Sequence, residues 1–331
     1  MKKLFESNKS EAMLLGLFGI VFIGIGMIVP QQFFTKNNLT SMAFQMPELG
    51  LLAIGMMAAV LTGGINLSIV TTATLSSILA AYVLSGTLGV ESPYLAILLT
   101  ILISVGVSIL CGILNGFFIA YAGVAALLVT LGTTTLFEGI GLNITKGGAI
   151  SGFPTEFMAI GNGSLFGVPI PMIIFVVVAI VSYFLLERTA WGVQVHMLGS
   201  NPIATEFSGI NINFATFKVY IFSGVLSALA GLIMISRYNS AKVDYGSSYV
   251  MQAVTAVVLG GTSITGGHGT VAGTVIAVMI IQIVSTGLNI IGINRNLIDI
   301  SIGVILLLVL AVRHYSQVFS DRAMIKKRKT T

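Results

Sequence analysis

Residues 93–120 read PYLAILLTILISVGVSILCGILNGFFIA and contain no Asp, Glu, Lys, Arg or His. Because about 20 apolar residues are enough for a helix to cross the hydrocarbon of a bilayer, this stretch predicts a membrane-spanning helix. Outward from it, nine more apolar segments predict spans at 12–30, 41–61, 67–84, 125–145, 169–186, 214–236, 249–260, 271–290 and 297–312. The segment 249–260 is short, which predicts a broken span. The sequence therefore predicts an all-α membrane protein, a polytopic bundle of about ten transmembrane helices.

The composition supports the same fold class. Of 331 residues, 56% are hydrophobic and 8% are charged, whereas a soluble domain carries about 25% charged residues. The mean hydropathy is +1.01. So few charges cannot cover a surface in water, but they suit a surface in lipid. The net charge of +5 is concentrated in the C-terminal tail, so it does not indicate a nucleic-acid partner.

The termini and the basic residues predict the orientation. The sequence MKKLFESNKSEA precedes an apolar run at 13–29, which is too long for a signal-peptide core and lacks a small-residue cleavage site. With ten spans both termini lie on one side. If that side is the cytoplasm, 11 of the 16 Lys and Arg residues lie inside and five outside, as the positive-inside rule requires. The inside set is Lys2, Lys3, Lys9, Arg188, Lys218 and the six in the tail, and the outside set is Lys36, Lys146, Arg237, Lys242 and Arg295.

We expect one domain over 1–331, with a membrane-embedded core at 12–312, a cytoplasmic loop at 187–213 and a basic cytoplasmic tail at 313–331. Within the loop, Asn201 can cap a helix and Pro202 suits the first helical position. A short helix over 203–207 would then end at Gly209. This segment is either a docking element for a partner or an ordinary connection.

Two glycine-rich stretches are similar to each other. Residues 59–68 read AVLTGGINLS and residues 256–265 read AVVLGGTSIT. Each places a pair of glycines, followed by polar residues, at the end of an apolar run. Such turns break membrane helices, and paired breaks occur in transporters built from two related halves; the alternative is a chance similarity. The glycines assigned to structural turns are Gly63, Gly64, Gly260, Gly261, Gly266 and Gly267.

Polar side chains within the spans are candidates for a substrate pathway, because placing them in lipid is costly. The predicted pathway set is Gln45, Glu48, Asn66, Ser68, Asn115, Thr130, Thr133 and Glu138. Many neutral hydrogen-bonding groups with little net charge suit a sugar-like substrate. The alternative is that the hydroxyls bond their own helix backbone or join helices. A rival mechanism, proton-coupled transport, usually needs an embedded acid–base pair, and the first nine predicted spans lack any clearly embedded Lys or Arg.

No catalytic or metal-binding residues are predicted. The chain has no G-x-x-x-x-G-K-[ST] loop and no H-E-x-x-H motif, and its three histidines are scattered. Cys111 is the only cysteine. Residues 261–264, GTSI, have the G-x-S-x form of intramembrane serine proteases, but His268 is too near in sequence to act as a base from another helix. We therefore expect no cofactor in this chain.

Four motifs resemble those of permeases of monosaccharide ATP-binding-cassette (ABC) importers, the family of the ribose, xylose and arabinose permeases. TGGINLS at 62–68 is similar to T-G-G-I-D-L-S, and VTLGT at 129–133 matches the same string in the family. GSNP at 199–202, with Ala204 and Gly209-Ile210, resembles the cytoplasmic loop of the family, in which G-x-N-x-x-A is followed by G-I. VVLGGTSITGGHG at 257–269 resembles V-V-L-G-G-T-S-x-x-G-G-R-G.

The similarity runs in order from about residue 40 to residue 312. SGFP at 151–154, VPIP at 168–171 and NSA at 239–241 look most like the autoinducer-2 branch of the family. Three positions depart from the family pattern. Asn66 stands where an Asp is usual, Glu138 where a basic residue is common, and His268 where an Arg is usual. These departures argue against assigning one particular sugar.

The resemblance implies an import permease subunit of the bacterial plasma (inner) membrane. It implies a second permease chain, identical or homologous, two ABC ATPase subunits that bind ATP and Mg²⁺, and an extracytoplasmic solute-binding protein. It also implies that the cytoplasmic loop contacts the ATPase through Gly199, Asn201, Pro202, Ala204 and Gly209. The alternative function is a stand-alone proton- or ion-coupled carrier for small polar solutes.

Overall fold

The computed structural model describes residues 2–86, 89 and 92–328, with side chains described between 11 and 311. The principal helices are α1 (Lys2–Ile28), α2 (Pro30–Phe33), α3 (Lys36–Leu61), α4 (Ile69–Leu84), α5 (Pro93–Ala120), α6 (Ala126–Thr145), α7 (Thr155–Asn162), α8 (Ile170–Tyr183), α9 (Ala190–Ser200), α10 (Pro202–Phe207), α11 (Ile212–Tyr238), α12 (Tyr249–Leu259), α13 (Val271–Ile290) and α14 (Arg295–Arg328). A π-helical turn, Phe184–Arg188, continues α8.

The predicted all-α polytopic class is confirmed. Among the described residues, seven helices are long and apolar enough to cross a membrane: α1, α3, α5, α6, α8 with its π-helical turn, α11 and α13. Two predicted spans, α4 and α12, are shorter apolar helices. The predicted span at 297–312 lies within α14, whose side chains beyond 311 are outside the described part.

The helices form a bundle around α3. In its most apolar window, 89% of α3 is buried against other helices, compared with 28% for α5 and 22% for α8 with its π-helical turn. The neighbours of α3 include α4, α8, α11, α12 and α13. Peripheral helices expose leucine, isoleucine and valine outward, as lipid contact requires. A central helix surrounded by protein can hold polar residues that lipid would not tolerate.

Glycine turns interrupt the bundle at two places. The first joins α3 to α4 and the second joins α12 to α13. Gly63 and Gly266 adopt φ of 79° and 87°, in the left-handed region that favours glycine. The two turns touch, since the Gly267 amide donates to the Leu61 carbonyl over 2.9 Å. A Cβ atom on Gly266 would lie 2.7 Å from the Gly63 nitrogen. All six predicted turn glycines therefore lie in one pair of contacting turns.

The two ends of the bundle differ. Helix α11 spans 27 residues, about 40 Å at 1.5 Å per residue. At its C-terminal end lie α7 and four two-residue strands, with β1 (Ile150–Ser151) paired to β4 (Ser240–Ala241) and β2 (Ser164–Leu165) paired to β3 (Val168–Pro169). At its N-terminal end lie α9 and α10. The predicted short helix is present there as α10, and the Asn201 Oδ1 accepts from the Ala204 amide at 3.0 Å.

Candidate functional site

A buried relay of amides and hydroxyls joins four parts of the bundle. Asn66, in the first glycine turn, donates through Nδ2 to the Ser223 Oγ of α11 at 2.9 Å. The Ser68 Oγ donates to Asn66 Oδ1 at 2.9 Å and accepts from Asn115 Nδ2 of α5 at 2.8 Å. The Thr133 Oγ1 of α6 donates to Asn115 Oδ1 at 2.7 Å. All five side chains are buried.

Five of the predicted pathway residues are thus brought together, since Thr130 adjoins this relay. Its Oγ1 lies 3.2 Å from the Ile65 carbonyl and donates to the Ala126 carbonyl at 2.8 Å. Each polar side-chain atom of the relay has at least one hydrogen-bond partner within it, so in this conformation it ties the first glycine turn to α5, α6 and α11. Ser223 was missed by the sequence analysis, although serine inside the apolar run 214–236 is the kind of signal that identified its partners. A pathway role for these residues stays a prediction.

We expect Asn115→Leu to lower the free energy of unfolding by about 1–3 kcal/mol, because it leaves buried hydroxyls without their partners. The measurement is thermal unfolding of the purified chain in detergent. Asn143→Leu is the matched control, since Asn143 is exposed on α6, and it should unfold near the wild-type temperature. Equal unfolding temperatures for the two variants would contradict a stabilising relay.

A second buried cluster surrounds Glu48 in the middle of α3. The Glu48 Oε1 lies 2.9 Å from Arg237 Nη1. The Glu48 Oε2 accepts from the hydroxyls of Tyr249 at 2.9 Å and Tyr238 at 3.2 Å. Glu48 is fully buried and the Arg237 side chain is 16% exposed. The cluster therefore joins α3 to the end of α11 and the start of α12 through a paired charge.

The structure corrects the position assigned to Arg237. The apolar run stops at residue 236, which placed Arg237 in an outside connection, but α11 continues to Tyr238. Arg237 thus lies on the last turn of α11 and reaches back to α3, with Nη1 donating to the Phe44 carbonyl at 3.3 Å. The bundle therefore contains an embedded acid–base pair that the sequence analysis did not find.

A polar pocket opens beside this cluster. Its volume is about 620 Å³, and we call it the α3 pocket; it is lined by Lys36, Asn37, Thr40, Ser41, Phe44, Gln45, Asn162 and Arg237. Gln45 donates through Nε2 to the Ser41 Oγ at 3.0 Å, and its Oε1 accepts from Gln282 Nε2 at 3.4 Å. Gln45 was predicted to lie in the pathway, and the structure places it in an accessible pocket.

Glu138 lies apart from both clusters. The buried residues of α6 are Thr130, Thr133, Phe137 and Gly141, which follow the helical period of one face. Glu138 falls on the exposed side of α6, so the structure does not bring it together with the other predicted pathway residues.

The opposite end of the bundle holds the residues predicted to contact an ATPase. Asn201, Pro202, Ala204 and Gly209 are exposed on and around α10, whereas Gly199 packs inward on the carbonyl oxygen of Leu61 and the amide of Gly267. A pocket of about 590 Å³ lies between α9, α10 and the second glycine turn. Two large apolar side chains of α10 project outward, with Ile203 69% and Phe207 90% exposed. This end combines a close inner contact at Gly199 with an apolar outer surface on α10.

Histidine and glutamate fix this end to the second glycine turn. The His196 Nδ1 lies 3.2 Å from the Gly267 carbonyl oxygen, which requires the proton on Nδ1. Burial lowers the pKa of His196 below its ordinary value, while the bond to Gly267 acts in the opposite direction. The Glu187 Oε1 accepts from the Val271 amide at 2.8 Å, at the start of α13, where a carboxylate is favoured.

The described residues form no group of three or more His, Cys, Asp or Glu side chains that could hold a metal ion. The hydroxyl of Ser263 pairs with that of Thr265 at 2.8 Å, so the G-x-S-x stretch forms a polar turn. Broken helices, buried polar clusters and an open polar pocket in a polytopic bundle are typical of membrane transport proteins.

The chain belongs to the family whose model is described as "Branched-chain amino acid transport system / permease component", which matches residues 38–310. It is the permease component of a transport system and a multi-pass protein of the bacterial inner membrane. It is similar to the ribose import permease protein RbsC of Bacillus subtilis (strain 168), with 38% identity over 85% of each chain. It is also similar to RbsC of Haemophilus influenzae, with 35% identity over 89% of this chain and 91% of the relative. The autoinducer 2 import system permease protein LsrD of Escherichia coli (strain K12) is 33% identical over 92% of each chain. No solved structure matches the chain significantly.

Proposed function

We propose that this chain is the permease subunit of an ABC importer for a monosaccharide or a sugar-like molecule, a ribose-type sugar or autoinducer-2. The observation that carries the proposal is the similarity to ribose and autoinducer-2 permeases over most of the chain. The polar lining of the α3 pocket agrees with such a substrate. Both termini and the α9–α10 end lie in the cytoplasm in this proposal, which the distribution of Lys and Arg supports.

The chain works with partners in this proposal. Two permease chains, identical or homologous, form the path; two ATPase subunits bind ATP and Mg²⁺ below them, and an extracytoplasmic binding protein delivers the substrate. Helix α10 contacts the ATPase through Ile203 and Phe207, since exposed large apolar side chains are typical anchors of a protein interface. The substrate path follows the predicted polar residues between α3, α5 and α6, and the spans form no covalent bond with the substrate.

We expect Ala204→Arg and Phe207→Ser to prevent co-purification of the ATPase with the tagged permease. Both changes place polar or bulky charged groups on the exposed face of α10 while leaving the membrane spans untouched. Phe166→Ser is the matched control, because Phe166 is 98% exposed at the opposite end of the bundle, and this variant should retain the ATPase. Normal ATPase retention by both α10 variants would reject α10 as the contact.

Sugar uptake into proteoliposomes tests the function itself. Wild-type chain reconstituted with its ATPase and binding protein should take up sugar only when ATP is supplied. The embedded Glu48–Arg237 pair is the observation that favours the rival proton-coupled carrier. Uptake by the chain alone, driven by a proton gradient without ATP, would establish the rival and overturn the proposal.

A further inference from the structure

We propose that the α3 pocket is a binding site for a small, neutral, polyhydroxylated molecule, held by the guanidinium of Arg237 and the amide of Gln45. The inference rests on the proposed function, because it assigns the sugar substrate of the importer to one place in the chain. The pocket volume of about 620 Å³ falls within the range of about 300–1,000 Å³ that small-molecule sites occupy.

The lining of the pocket matches the chemistry of a polyol. It offers three side-chain amides and two hydroxyls, from Asn37, Gln45, Asn162, Thr40 and Ser41. Amides both donate and accept hydrogen bonds, as the hydroxyls of a sugar do. Phe44 adds an aromatic surface on which the apolar face of a sugar ring can pack. None of the described residues that line the pocket carries a carboxylate side chain.

The charges of the pocket favour a neutral ligand over an anion. Two cations line it, Lys36 and Arg237. Arg237 is paired with the buried Glu48 at 2.9 Å, so its charge is largely compensated. Lys36 remains as one exposed cation at the rim, where solvent and salt screen it. A compensated guanidinium acts mainly as a donor of hydrogen bonds, which hydroxyl oxygens accept.

Three contacts orient the Arg237 side chain and leave some of its N–H donors without a partner among the described residues. Its Nη1 pairs with Glu48 and donates to the Phe44 carbonyl, and its Nη2 donates to the Tyr238 hydroxyl at 3.0 Å. A guanidinium carries five N–H donors, so these contacts leave others for a ligand. The side chain is 16% exposed and lines the pocket. Because the side chain is already held in place, it loses less conformational entropy when a ligand binds.

Ligand protection of a single cysteine tests the site. The native Cys111 is buried, so Thr40→Cys in the full chain in nanodiscs provides the reactive thiol in the pocket. The probes are D-ribose, D-xylose and L-arabinose, with leucine and ribose 5-phosphate as the zwitterionic and anionic comparators. We expect a neutral pentose at twice its dissociation constant to slow maleimide labelling about threefold. The inference is overturned when no pentose protects, or when either comparator protects equally.

Two variants in the same reporter background test the binding groups. Arg237→Lys keeps a charge beside Glu48 but loses the planar fork, and Gln45→Ala removes the amide without touching the ion pair. Each should raise the sugar concentration needed for protection about tenfold, as loss of a charge-assisted or buried hydrogen bond does. Lys242→Gln is the control, because Lys242 is exposed, pairs with Asp244 and lies outside the α3 pocket. Unchanged protection in both variants rejects the assignment of these groups.

The outcome is separable from that of the proposed function. Uptake of a sugar by the ATP-supplied complex, with no protection of the pocket thiol by that sugar, rejects this site and leaves the importer assignment intact. Protection without any ATP-dependent uptake rejects the importer assignment and leaves a sugar site in the α3 pocket.

Discussion

The Arg237→Ala variant is expected to lose about 3–5 kcal/mol of folding free energy, the largest single effect we predict. Removing one partner of a buried ion pair leaves the other charge without compensation. Glu48 is fully buried, and Arg237 is its paired cation. The two tyrosine hydroxyls that donate to Glu48 remain, but they carry no positive charge. The loss should appear as a lower midpoint in denaturant titrations of the chain in detergent micelles.

A double variant separates charge from packing. Glu48→Leu combined with Arg237→Leu removes both charges, and replacing a buried pair by apolar residues is often neutral or stabilising. We expect the double variant to unfold closer to wild type than Arg237→Ala does. Lys242→Ala, which breaks an exposed ion pair, should change the midpoint little. A wild-type midpoint for Arg237→Ala would show that the pair does not stabilise the fold.

The second large effect is expected at Gly199, where an added methyl group meets backbone. A Cβ atom there would overlap the carbonyl oxygen of Leu61 and the amide of Gly267. Backbone cannot rotate out of the way as a side chain can, so Gly199→Ala must displace α9 from both glycine turns. We expect ATP-dependent uptake to fall at least about tenfold, together with a stability loss of about 1–3 kcal/mol from overpacking.

Co-purification with the ATPase distinguishes this effect from misfolding. Gly199→Ala should still retain the ATPase, because α10 and its exposed side chains are unchanged. Gly132→Ala is the matched control, since a Cβ at Gly132, on α6, would meet nothing within 4 Å, and its uptake should equal that of wild type. Wild-type uptake by Gly199→Ala would rule out a functional contact between α9 and the glycine turns.

The apolar runs predicted the fold class because hydrophobicity over about 20 residues is a property of sequence alone. The count of full spans was harder to predict for α4 and α12, which are 16 and 11 residues long. The start of α4 and the end of α12 are set by the two glycine turns, which contact each other. The C-terminal boundary of α11 was also misplaced, because a charged residue normally ends a membrane span. Here Arg237 lies within the helix, since it pairs with Glu48 on α3, which is far away in sequence.

In the candidate site too, the sequence predicted what depends on local pattern and did not predict what depends on contacts between distant residues. The relay residues Asn66, Ser68, Asn115 and Thr133 were found because polar groups in apolar runs stand out. Their mutual bonds, and the bond from Asn66 to a serine 157 positions away, depend on packing that no local pattern encodes. Glu138 failed to join them because an apolar run does not say which face of a helix points inward. The structure supplies that information, because it shows which residues of α6 are buried.

The contact between α9 and the two glycine turns is made largely of main-chain atoms. The α3 pocket, at the other end of α3, is lined by side chains. From Ser41 to Leu61 the helix runs about 30 Å. Side chains can be exchanged by mutation without altering peptide groups at that distance. With the proposed sugar site in the α3 pocket, replacement of its lining is expected to change the cargo of the transporter and to leave the contact between α9 and the glycine turns unaltered.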